Sequence, residues 1–209
     1  AARPDYGWLS EETADNHVRL GKSRVWVIDP IDGTRSFIAG KPEFTIAAAL
    51  VENGRPVIGI VYNPVLEEYY EAIKGRGAKL NGRLITCSPK RALANTRLIA
   101  SRNSFDWHGW LEDVKGASFS HVNSIAYRMV KVASRHADAS LSLTEKSDWD
   151  IAAADIILSE AGGITTTTGG DSLIYNRKSI HQKNVISSGE ALHPQLMKLL
   201  ESFGRAKSG

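Results

Sequence analysis

Val25-Trp26-Val27-Ile28-Asp29-Pro30-Ile31-Asp32-Gly33-Thr34 is the stretch from which the rest of the chain can be read. Its first four residues are β-branched or aromatic and predict a buried strand that ends at Pro30. Two carboxylates, Asp29 and Asp32, straddle that proline. Pro30 fixes φ and removes a backbone donor, which stiffens the turn, while Gly33 permits a conformation that brings amides close to a ligand. If Thr34 starts a helix, the amides of Gly33 and Thr34 point outward at its positive end, a seat suited to phosphate. Hard carboxylate oxygens beside such a seat favour Mg2+, which binds through one or two carboxylates plus substrate oxygens. The Thr34 hydroxyl could then orient an attacking water. An ordinary β-turn has the same Pro-x-Asp-Gly composition; the second aspartate and the threonine weigh against that plainer reading without removing it.

Outward from this turn, a short helical segment is expected over Thr34–Ala39, closed by Gly40 and Pro42. Phe44–Glu52, Arg55–Asn63 and Leu66–Ile73 read as an antiparallel meander, with Asn53-Gly54 as a tight turn and Asn81-Gly82 repeating that signal between Ala78–Leu80 and Arg83–Ile85. The second half alternates: strands at Thr96–Ser101, Ala139–Leu143, Gly163–Thr168 and Asn184–Ser188, and helices at Ser124–His136, Asp150–Ala161 and Glu190–Phe203. Gly162-Gly163 stops the second of these helices. The pattern implies an α+β fold of layered sheets and helices. A composition shift near Pro89–Ala94 divides it into subdomains 1–92, carrying the Asp-rich turn, and 93–209.

Two further acidic positions are candidates to join Asp29 and Asp32. Glu11-Glu12 follows Trp8-Leu9-Ser10, the end of a strand or, with Ser10 as cap, the start of a helix. Asp150 opens a strongly patterned helix and on its own reads as an N-cap. Spacing alone does not bring these acids together.

The 209 residues, 42% hydrophobic and 23% charged, can bury a sizeable core. The longest apolar run, Ile46–Val51, is far short of the roughly 20 residues of a membrane span. No charged-then-apolar leader opens the chain, and Cys87 is its one cysteine, so a reducing cytoplasm is the expected location. Cys87 falls in a predicted hairpin without a nucleophile motif. The formal charge is only +3. Lys74, Arg76, Lys79, Arg83, Lys90 and Arg91 cluster without an acid among them, as a solvated hairpin or a patch for nucleic acid or another anion. The six histidines lack the clustered spacing of a zinc site. Trp107 and Trp110, flanking His108, fit core packing or a dimer contact better than base stacking.

Three segments, in order, resemble the inositol monophosphatase family of metal-dependent phosphatases: Leu9-Ser10-Glu11-Glu12, Trp26 to Thr34, and Trp149-Asp150-Ile151-Ala152-Ala153-Ala154 running to Glu160-Ala161-Gly162-Gly163. The resemblance covers essentially the whole chain. It implies a layered α-β-α-β-α sandwich, usually dimeric. It carries metal ligation onto Glu11, Asp29, the Ile31 carbonyl, Asp32 and Asp150, for two or three Mg2+ ions with Li+ as inhibitor. Phosphate binding falls on Asp32, Gly33 and Thr34. The chemistry implied is in-line attack by a metal-activated water on a small phosphate monoester, with Thr34, Asp32 and Glu11 as the catalytic group.

The departures from that pattern matter as much. The family has another metal-site Asp upstream of the Glu-Glu pair and a helical N-terminal part; the expectation is that both lie in a segment outside this sequence. Arg35-Ser36-Phe37 resembles broad bacterial members more than inositol-specific ones. Near the position where inositol-specific members grip ring hydroxyls stand Glu145 and Lys146, and Lys146 could favour a second phosphate. Ser124 falls where the family approaches substrate, or simply caps its helix. Inositol monophosphate is the leading substrate, with 3′(2′),5′-bisphosphate nucleotides, histidinol phosphate and sugar bisphosphates as alternatives. The rival outside enzymology is a regulatory module that presents its basic face to RNA or a protein, although retention of the acids and Thr34 argues against lost catalysis.

Overall fold

The computed structural model of the chain describes residues 3–100 and 114–206; Trp107, His108 and Trp110 lie outside them. Strand β1 (Gly7–Ser10) runs parallel to β2 (Arg24–Asp32). β3 (Thr45–Glu52), β4 (Arg55–Asn63), β5 (Glu68–Ile73), β6 (Ala78–Leu80) and β7 (Arg83–Ile85) complete a seven-stranded sheet as an antiparallel meander in sequence order. Both expected Asn-Gly turns form, with φ of 49° and 78° at Asn53-Gly54 and 48° and 77° at Asn81-Gly82. Between β2 and β3 sits the short helix α1 (Thr34–Ile38), ending at Gly40 in the left-handed region as expected.

The strand expected to stop at Pro30 instead continues to Asp32. Pro30 is tolerated there because β1 has already ended, at the Ser10–Ile28 pair, and because the pairing with β3 skips a register between Asp29 and Asp32. A proline lacking its N–H is at home in such a bulge.

The second half builds a five-stranded sheet from β8 (Arg97–Ala100), β9 (Ser118–His121), β10 (Ala139–Ser142), β12 (Gly163–Thr166) and β14 (Val185–Gly189), in the order β12-β14-β10-β8-β9. A small ladder pairs β11 (Lys146–Ser147) with β13 (His181–Gln182). β9, β11 and β13 carry little alternation of their own and have no counterpart in the sequence reading.

Helices α2 (Ile125–Ala133) and α3 (Asp148–Glu160) pack on each other between the two sheets, and α4 (His193–Ala206) covers the far face of the second sheet. The order β-α-β-α supplies four layers of the expected sandwich; the outer N-terminal helical layer is not among the described residues. α3 buries apolar residues around most of its circumference, as a helix enclosed by sheets must. Its backbone lies so close to β4 that a Cβ at Gly59 would collide with the Ala153 carbonyl. A larger residue at Gly59 would force the two layers apart.

Two polar clamps fix the connections. Glu160, at the end of α3, accepts hydrogen bonds at 2.8 Å from the amides of Gly75 and Gly77 in the β5–β6 turn. Arg19, 1% exposed, donates to Asp15, to Asn176 Oδ1 and to the Arg177 carbonyl, tying the segment between β1 and β2 to the one after β12. Arg19→Ala takes the guanidinium from Asn176 Oδ1 and the Arg177 carbonyl and leaves Asp15 with His17 alone, and is expected to cost about 3 kcal/mol in chemical denaturation; a loss under about 1 kcal/mol would contradict that role.

Two surface expectations change. The basic run is opposed by distant acids: Glu160 sits at its first turn, and the Lys90 ammonium is 3.6 Å from Asp138, which also pairs with Arg97. Cys87 lies beyond the β6–β7 hairpin, buried, with its thiol pushed up to about 12 by that burial, so it stays protonated and inert. None of the described helices is long and apolar enough to cross a membrane.

Candidate metal and phosphate site

The bulge in β2 creates the site. Strict alternation buries Val25, Val27 and Asp29 on one face and would bury Ile31 next. The register shift resets the phase, so Asp32 follows Asp29 inward instead. Asp29 is 1% exposed and Asp32 7%. Asp150 reaches them from the first turn of α3, and one oxygen from each of the three carboxylates lies within 4.8 Å of the others.

Each acid is anchored by the main chain. Asp29 Oδ1 accepts from the Ile31 amide at 2.9 Å. Asp32 Oδ2 accepts from the Ser124 hydroxyl at 2.6 Å and from the Ala126 amide at 2.7 Å, so Asp32 sits at the positive end of α2. Asp150 is not the N-cap of α3. The helix starts two residues earlier than its apolar pattern suggested, Ser147 is the cap, and Asp150 Oδ2 accepts from the Ser147 amide at 2.7 Å. That bond reaches back across the first turn and leaves the other oxygen for the cluster.

Glu11 stands just beyond the Ser10–Ile28 pair, and the parallel register of β1 and β2 sets it beside Asp29. Ser10 therefore ends a strand and caps no helix. Glu11 is exposed and outside the compact group of three, but its charge acts on Asp29 and Asp150. Thr34 is exposed at the start of α1, its hydroxyl donating to the Ile31 carbonyl at 3.2 Å. Gly33 has φ of 94°, and a Cβ there would meet Ser124 and the Glu43 carbonyl at 3.0 Å. Glycine is thus required both by conformation and by the contact that seats this turn on α2.

The remaining candidates separate. Ser124 is fully buried; its hydroxyl caps α2 through the Tyr127 amide, donates to Asp32 and lies 3.1 Å from Thr45 Oγ1. It positions Asp32 and has no surface left for a substrate. Glu145 is exposed, 3.5 Å from His181 Nδ1. Lys146 is half-buried, its ammonium donating to Thr144 Oγ1 and the Glu145 carbonyl, and it interacts with Asp150, Asp32, Arg128 and Arg35. Arg128, absent from the sequence candidates, is buried in α2 and feels the charges of Asp32 and Asp150. A cation amid Ile125-Ala126-Tyr127 and Met129-Val130 was the available signal.

The carboxylates crowd one another. The Asp29 carboxyl is pushed up to about 9, chiefly by burial and then by Asp32, Glu11 and Asp150. Asp150 is pushed up to about 7, again by burial first and then by Asp32, with the Ser147 amide and Lys146 working in the opposite sense. Burial also raises Asp32 despite its two donors. Buried acids so poorly balanced call for an added cation. Three hard oxygens at this spacing suit Mg2+ and offer no soft ligand for zinc.

A carboxylate cluster cradled between a bulged strand and two helix N-termini, in a layered sandwich of this topology, is a place that could hold a metal ion. The chain belongs to the inositol monophosphatase family, whose profile matches residues 1–205. It is 33% identical to the Nus factor SuhB of Pasteurella multocida over 178 residues, 80% of this chain and 65% of that protein. It is 30% identical to the inositol-1-monophosphatase of Mesorhizobium japonicum over 209 residues, 96% of this chain and 76% of that protein. Among solved structures, the Thermotoga maritima IMPase superposes with a TM-score of 0.84 at 30% identity, covering 97% of this chain and 77% of that one. The chain thus spans just under two thirds of the length of the first of these relatives and about three quarters of the other two.

Proposed function

We propose that this protein hydrolyses a small phosphate monoester with Mg2+ held by Asp29, Asp32 and Asp150, inositol monophosphate being the leading substrate. The observation that carries the reading is the convergence of three carboxylates, Asp29 and Asp32 buried and Asp150 half-buried, within 4.8 Å beside the Gly33-Thr34 turn. Glu11 and the Ile31 carbonyl complete the ligand set for two or three ions, with Li+ as a competitor. Bound there, Mg2+ neutralises phosphoryl oxygens and lowers the pKa of a water. The amides of Gly33 and Thr34, left without intrahelical acceptors at the start of α1, hold the phosphate. The Thr34 hydroxyl, already directed at the Ile31 carbonyl, orients the attacking water. The working form is a cytoplasmic homodimer.

A second substrate reading has its own support. Lys146 and the exposed Arg35 lie within electrostatic reach of each other at the edge of the carboxylates, a pair suited to a second phosphate. Phosphate release from inositol 1-phosphate and from a 3′,5′-bisphosphate nucleotide, with and without Mg2+, tests both. Metal-dependent release abolished by Asp32→Asn is expected. A preference for the bisphosphate that Lys146→Gln removes would select the second reading, and inertness toward both, with histidinol phosphate also untouched, would overturn hydrolysis.

A further inference from the structure

Arg128 is among the largest side chains buried in the protein, 1% exposed, in the middle of α2. It forms no ion pair at bonding distance among the described residues. Nη1 donates to the Leu141 carbonyl at 3.3 Å, and the Nε–H has no partner among the described residues. Burying a guanidinium with so few acceptors is expensive unless opposite charge stands close by. Side chains on a helix lean toward its N-terminus, so Arg128 leans toward the turn formed by Ser124 and Ala126. Those two residues grip Asp32 Oδ2. The opposing charges acting on Arg128 are those of Asp32 and Asp150, and although burial lowers it to about 10 it remains a cation at neutral pH.

We propose that Arg128 is a positioning residue of the carboxylate centre: a permanent internal cation within electrostatic reach of Asp32 and Asp150 that offsets part of the acids' charge before any metal arrives and weakens metal binding in return. The proposal rests on the metal reading above and adds a direction that reading lacks. An ordinary packing residue, once disturbed, loosens the ligands and weakens Mg2+ binding. Removing a fixed positive charge within reach of the ligands strengthens it, because each incoming ion no longer meets that repulsion.

The test uses the full chain with Arg128→Gln, whose amide can still reach the Leu141 carbonyl, and Arg128→Lys, which keeps the charge. Mg2+ dissociation constants are measured by calorimetry without substrate, beside thermal unfolding of the metal-free proteins. Arg128→Gln is expected to bind Mg2+ at least about fivefold more tightly while melting earlier without metal, and Arg128→Lys to stay within about twofold of the parent in affinity. Equal or weaker binding by Arg128→Gln, or a lysine variant that matches the glutamine one, would overturn the proposal. If Arg128→Gln does not fold, adding Asp150→Asn removes one acid and is expected to restore folding; a double variant that stays unfolded also overturns it. A parent protein that binds no Mg2+ would sink the metal reading, and the role of Arg128 would then be decided by whether Asp150→Asn relieves the destabilisation of Arg128→Gln.

Discussion

Asp29→Asn is expected to lower Mg2+-dependent turnover by about a thousandfold or more and, in the same protein, to raise the melting temperature measured without metal. The two effects share one cause. Asp29 is nine-tenths or more enclosed, and its described bonded partner is the Ile31 amide, which an asparagine oxygen can accept equally well. What the asparagine removes is a charge, or the proton that must be taken up to suppress it, at a position whose carboxyl is held at about 9 by burial and by Asp32, Glu11 and Asp150. Near neutral pH that burden on the metal-free fold is on the order of 4 kcal/mol, taken from the distance between pH 7 and an ordinary carboxyl near 3.9. A protein that carries it without metal is organised for the metal-bound state. Phosphate-release kinetics and calorimetric melting of the same preparation read both consequences. A variant that keeps turnover within about tenfold, or melts well below the parent without metal, would show that Asp29 serves the fold and not the ions.

The parts of this architecture that could be read from the chain are those governed by neighbours in sequence. Asn53-Gly54 and Asn81-Gly82 settle their hairpins because the turn needs two residues that accept positive φ, a local requirement. The apolar spacing of α2 and the stop at Gly162 are of the same kind. Errors appear where a distant strand or helix decides. Nothing near Pro30 reveals that β1 ends at Ser10, yet that is what lets β2 run on. β11 and β13 exist by pairing with each other. The start of α3 moves to Asp148 because a Ser147 cap with an acid at the third helical position satisfies more backbone groups than a lone Asp150 cap would.

The site divides along the same line. Asp29, Asp32, Gly33 and Thr34 are close in the chain, and their types already suggest a cation and a phosphate. That Asp150 joins them depends on α3 lying between the sheets, and that Glu11 lies beside Asp29 depends on the parallel register of β1 with β2. Here family resemblance supplied what spacing could not. Neither spacing nor resemblance indicated that Ser124 is turned wholly toward Asp32, since its capping geometry and its hydrogen bond to the carboxylate arise from a single contact between α2 and the bulge.

Metal-free stability is expected to fall as pH rises between about pH 7 and about pH 9, and Mg2+ to reverse that slope. Asp29 titrates at about 9 in the fold and near 3.9 when unfolded, so the folded state binds the proton more tightly. Its contribution is complete below about pH 4 and is lost as pH climbs through the folded value, at up to about 1.4 kcal/mol per unit, or on the order of 2–3 kcal/mol across the interval. Asp150, at about 7, has given up most of its share by the start of it. His193 works in the opposite sense, since its buried ring stays neutral and destabilises the fold only as pH drops below about 6.5, outside the interval. The Cys87 thiol, raised to about 12, adds to the fall only near its upper end. Mg2+ competes with the proton for Asp29, so its gain in melting temperature should grow with pH where the metal-free protein weakens. Asp29→Asn separates the contributions: the slope that remains in it belongs to Cys87 and the other groups, and the slope that disappears belongs to the metal centre. Metal-free melting temperatures that stay level or rise over this interval, or a Mg2+ gain that shrinks with pH, would mean that the three carboxylates are balanced without an ion, and the case for a divalent metal at this site would fall with them.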